Sequence, residues 1–126
     1  MAVAEDSSRR AYWDGRGAIW LWTAMLAAPA AWTLDQGLSY PSVKPSCFGG
    51  SEAALLIYPI VAIAMVVAGA WIGWTCLAGV RDAAEDGGRV IDRSYFMAMV
   101  AIGFNVLIGL LIITATIPVF LLSPCE

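Results

Sequence analysis

Three long apolar runs, each free of Asp, Glu, Lys and Arg, constrain this chain more than anything else in it. The first covers Ala18–Leu34, 17 residues; the second Ala53–Val80 and the third Tyr95–Leu122, 28 residues each. Buried strands run about 3–10 residues, so these segments are far too long to be strands. A helix needs about 20 apolar residues to cross the hydrocarbon of a bilayer. The first run meets that requirement if Gly37 and Leu38 sit at the interface, and the other two exceed it, so they should tilt or project. Composition closes off the soluble alternative: 13% of the residues are charged and the mean hydropathy is +0.76, whereas a soluble domain carries about 25% charged residues. The chain therefore reads as a single all-α integral membrane domain with three transmembrane helices.

The segments follow from the runs. Residues 1–17 form a tail, 18–38 the first span, 39–52 a loop, 53–80 the second span, 81–94 a second loop, 95–122 the third span and 123–126 a short tail. The 39–52 loop is rich in Pro, Gly and Ser, which predicts extended or turned backbone. The 81–94 loop carries Arg81, Asp82, Glu85, Asp86, Arg89, Asp92 and Arg93 around a Gly87-Gly88 turn. Ser94 is placed to cap the third helix, and Pro118 and Pro124 mark its end. Orientation follows from Lys and Arg. Arg9, Arg10, Arg16, Arg81, Arg89 and Arg93 lie on one side, against Lys44 on the other. That bias predicts a cytoplasmic N-terminus and a C-terminus on the far side. Most of the Trp and Tyr residues fall near span ends, as aromatic belts do. A rival reading takes Arg9-Arg10 and Ala28-Pro29-Ala30 as a twin-arginine signal with a cleavage site. The apolar character continuing through Trp32 and Leu34 favours a retained span.

Little in the residues points to chemistry. The chain has no histidine, which removes the commonest metal ligand, general base and haem ligand. No thiolate motif or carboxylate cluster replaces it, so we expect no enzyme and no cofactor; a haem held by methionines alone is the remote exception. The net charge of −3 and the lack of a basic stripe exclude nucleic acid as a partner. Of the three cysteines, Cys76 lies within the second span and reads as a small apolar residue. Cys47 and Cys125 fall on the non-cytoplasmic side, where an oxidising compartment permits a disulfide between them. Closing a loop of that length is worth about 4 kcal/mol in the chain-entropy model, and less where a membrane already confines the chain. Two free thiols, or a redox or metal pair, are the alternatives. Asp35 is the one ionisable residue near a span interior. It reads as an interfacial carboxylate exposed to water, or else as a polar contact for an ion or partner.

Small residues recur at helical spacing: Ala24, Ala27, Ala28 and Ala31; Ala62, Gly69, Gly73 and Cys76; Ala98, Ala101, Asn105, Gly109 and Thr116. Such faces let helix backbones approach in lipid, and Asn105 should hydrogen-bond across an interface. Internal packing accounts for them, unless one face is left over for another membrane protein. Pro29 and Pro59 can kink their helices, and a kink at Pro29 would shape a crevice above Trp32 and Asp35.

The ordered set Trp20, Pro29, Trp32, Tyr40, Pro45 and Cys47, with the segments Gly69–Trp71, Ile117-Pro118 and Ser123–Cys125, resembles a family of small bacterial inner-membrane proteins that span the bilayer three times. The resemblance covers nearly the whole chain but supplies no active-site motif. Some members are found beside terminal-oxidase genes, which implies an association with aerobic respiratory complexes. The expected function is a non-catalytic accessory or assembly subunit, partnered by lipid and other integral membrane subunits. The alternative is a small oligomeric transporter or channel.

Overall fold

A computed structural model of the chain describes residues 11–49, 53–81 and 89–122. Three helices build it: α1 Arg16–Cys47, α2 Ala53–Arg81 and α3 Arg89–Leu121. All three are long and apolar enough to cross a membrane. At 1.5 Å per residue they measure about 45–50 Å, well beyond the roughly 30 Å of hydrocarbon. Each helix touches both of the others.

The packing has a period that the stripes of small residues only sketched. The inward positions of α1 are Leu21, Ala24, Ala28, Ala31 and Asp35; those of α2 are Leu55, Pro59, Ala62, Val66, Gly69, Gly73, Cys76 and Val80. In α3 they are Ile91, Ser94, Ala98, Ala101, Asn105 and Ile112. Alternating steps of three and four residues give a 3.5-residue repeat, which drives helices into a left-handed supercoil. Two apolar clusters result. Trp13, Leu21, Cys76, Val80, Ile91 and Ala98 form one, near the N-terminal end of α1. Ala31, Ala62, Val66 and Ile112 form the other. Lipid supplies no hydrophobic drive between helices, so close backbone approach at alanine and glycine holds the middle together. Gly73 and Gly109 mark this: an added Cβ would stand 3.1 Å from Ile102 and from Val66, respectively.

Four expectations need correction. Residues 39–47, read as loop, continue α1 to Cys47 despite Pro41 and Pro45. The Ser42 hydroxyl donates to Leu38 O at 2.7 Å, and the Phe48 amide donates to Pro45 O, local bonds that tie down this last stretch of the helix. Ser94 does not cap α3; the helix begins at Arg89, with Asp92 in its first turn favouring the N-terminal dipole. The segment before residue 17 is not simply a tail. Residues 11–14 are helical, and Trp13 is buried in the first cluster. Its indole fills a notch that exists because Gly17 and Gly79 lack side chains; a Cβ at either would press on the ring. Asp35 is not exposed to water: it is 4% accessible. Residues 82–88 of the second loop, residues 1–10 with Arg9 and Arg10, and residues 123–126 lie outside the described residues. The Ala28-Pro29-Ala30 stretch is continuous helix, with Ala28 on the inward stripe.

Candidate functional site

Asn105 lies at mid-bundle, fully buried. Its amide nitrogen donates to Ala24 O at 2.8 Å and to Ala101 O at 2.7 Å. Two carbonyl acceptors on one side fix which way the amide points. Asn105 Oδ1 is buried without a hydrogen-bond partner and faces Gly69, where a Cβ would stand 2.5 Å from it and 2.7 Å from Ala27 Cβ. The Gly69 Cα–H therefore points at Oδ1, a weak contact that a side chain would replace with a clash. Gly69 and Asn105 thus pack directly against each other and leave no room there for a ligand.

Asp35 differs. The inward stripe of α1 steps through Ala24, Ala28 and Ala31, and the next step is Asp35. Its carboxylate lines a crevice of about 210 Å³ between α1, α2 and α3. Gln36, Ser39, Tyr40 and Thr116 supply the other polar groups. Val43, Pro59, Ala115 and Val119 supply apolar walls. The carboxylate receives one hydrogen bond, from Gln36 Nε2 at a long 3.4 Å. The Thr116 hydroxyl donates to Ile112 O at 2.7 Å, which leaves its lone pairs free to accept. No Lys or Arg among the described residues pairs with Asp35. Arg93 pairs with Asp14, 3.3 Å away at the other end of the bundle and largely in the open. A half-sheltered carboxylate with so little compensation favours a cation or a proton beside it. The crevice that a Pro29 kink was expected to open instead borders Pro59 and the C-terminal part of α3.

The outer surface of α1 carries a second feature. Leu26, Pro29, Ala30, Thr33, Gly37 and Leu38 line a shallow groove facing away from the bundle. An added Cβ at Gly37 would meet nothing. The most apolar 18-residue stretch of α1 has a mean hydropathy of 1.2, against 2.4 and 2.6 for those of the other two, although 28% of each stretch is buried inside the chain. The outer face of α1 is thus the one least suited to lipid. In the sequence this face is marked only by the step Leu26–Ala30–Thr33–Gly37, on the side of α1 opposite Ala24, Ala28 and Ala31.

Cys76 is a buried free thiol. Cys47 ends α1, partly buried, and Cys125 lies outside the described residues. Among the described residues no three His, Cys, Asp or Glu side chains come together as metal ligands. No protein-family model matches the chain, and no curated protein or solved structure matches it.

Proposed function

We propose that the protein is a non-catalytic accessory or assembly subunit of a membrane complex, docking a transmembrane helix of a partner on the outer face of α1. The observation that carries this reading is the combination of a groove floored by Ala30, Thr33 and Gly37 with the low hydropathy of that helix. A face of small residues lets a partner helix approach closely, and contact with protein relieves a poor match to lipid. The resemblance to bacterial inner-membrane proteins adds an aerobic respiratory oxidase as the complex. The excess of Arg in the N-terminal and second-loop segments places the N-terminus in the cytoplasm and the C-terminus in the periplasm. On that side Cys47 bridges to Cys125; Cys47 is the bonded one of the two described cysteines and Cys76 the free one.

Photo-crosslinkers at Ala30, Thr33 and Gly37 should capture a defined integral membrane protein in native membranes, while the same probe at Val67 on α2 should not. Capture of lipid alone at all positions would sink the docking reading. The buried Asp35 favours a second reading, a small oligomeric transporter or channel, since intramembrane carboxylates mark ion paths. Ion flux in proteoliposomes that vanishes in Asp35→Asn would establish it; no flux from the intact chain would remove it.

A further inference from the structure

We propose that the Asp35 crevice is a binding site for a primary alkylammonium group, supplied by an ethanolamine lipid headgroup or by a small free amine. Asp35 is 4% exposed as a residue, its carboxylate opens onto the crevice, and it accepts a single long hydrogen bond. It needs a positive partner that the described residues do not provide. A divalent metal ion takes six or more oxygens, and among the described residues that line the crevice Asp35 is the only acid. About 210 Å³ exceeds what a bare monovalent ion fills and suits an ammonium on a short alkyl stem. An ammonium has three donors. Asp35, the Ser39 hydroxyl and the Gln36 carbonyl are acceptors on one wall, while Pro59 and Val119 offer apolar surface to the stem.

Depth fits the lipid source. Pro59 is six residues from the start of α2 and Thr116 five from the end of α3, so that wall of the crevice lies about 7.5–9 Å inside those two helix ends, while Asp35 stands twelve residues, about 18 Å, from the end of α1. Helices of about 45 Å across 30 Å of hydrocarbon project roughly 7 Å at each end. The α2 and α3 wall of the site therefore sits close to the boundary between acyl chains and headgroups, with Asp35 deeper along α1. This inference stands apart from the docking of α1, which uses the opposite face of that helix.

The test uses the full chain in nanodiscs, with bound lipid read by native mass spectrometry. In mixed discs, phosphatidylethanolamine should be retained about tenfold over phosphatidylcholine, whose quaternary ammonium cannot donate. That preference should disappear in Asp35→Asn and in Ala115→Phe, which plugs the crevice from a lipid-exposed position and leaves Asp35 intact. If the headgroup preference is absent but ethylammonium binds in phosphatidylcholine discs and is lost in both variants, the source is a free amine. Equal retention of both lipids with no amine binding overturns the proposal, as does binding that survives both substitutions. A protonated-carboxyl infrared band at neutral pH that vanishes in Asp35→Asn also overturns it, since a proton would then occupy the role of the cation.

Discussion

Asn105 joins all three helices through one side chain: its amide reaches Ala24 on α1, it springs from α3, and its oxygen lies on Gly69 of α2. Asn105→Ala loses two short hydrogen bonds, worth about 0.5–2 kcal/mol in a membrane interface. Asn105→Asp should cost more than Asn105→Ala, because a carboxylate would face the Ala24 and Ala101 carbonyls it cannot accept from. Gly69→Ala forces a Cβ into Asn105 Oδ1 and Ala27, an overpacking that costs about 1–3 kcal/mol. In an Asn105→Ala background part of that strain has somewhere to go, so the two substitutions should be non-additive. Unfolding of the four proteins in mixed micelles measures the coupling; strict additivity would show that Asn105 and Gly69 do not share one layer.

At the scale of the helices, the prediction concerns register. Ala31 and Ala62 share a cluster, whereas Ala30 turns outward. In a Cys76→Ser background, cysteines at 31 and 62 should crosslink under mild oxidation, and cysteines at 30 and 62 should not. Crosslinking of both pairs would mean that α1 rotates freely against α2. Helix number, the second span and the inward stripes were legible in the sequence, because apolar length and small-residue spacing are local signals. The end of α1 was not. Pro41, Pro45 and their serines favour turns by composition, yet the helix continues with Ser42 bonding back to Leu38. Ser94 misled for a similar reason: a good cap residue also fits an inward step between Ile91 and Ala98. The seat of Trp13 was illegible, since it depends on Gly17 and Gly79, far apart in the chain. The burial of Asp35 was legible in principle, one step beyond Ala31 on a 3.5-residue repeat.

For the whole molecule, the thiols give the sharpest check on topology. If Cys47 and Cys125 are joined across the non-cytoplasmic face, denatured protein that has not been reduced should alkylate at Cys76 alone, and at all three cysteines after reduction. Two or more modified cysteines before reduction would refute the bridge. Sequence showed three spans, but it could not show that the bundle leaves α1 with a polar inner end and an outer face ill-suited to lipid. Both depend on which side of the helix the other two cover.

That helix is synthesised before α2 and α3. With a mean hydropathy of 1.2 over its most apolar stretch it gains least from partitioning into lipid by itself. Its stripe of alanines, its hold on Asn105 and the notch that receives Trp13 all require α2 or α3, which are synthesised later. During biogenesis the inward face of α1 therefore stays uncovered until α2 and α3 have been made.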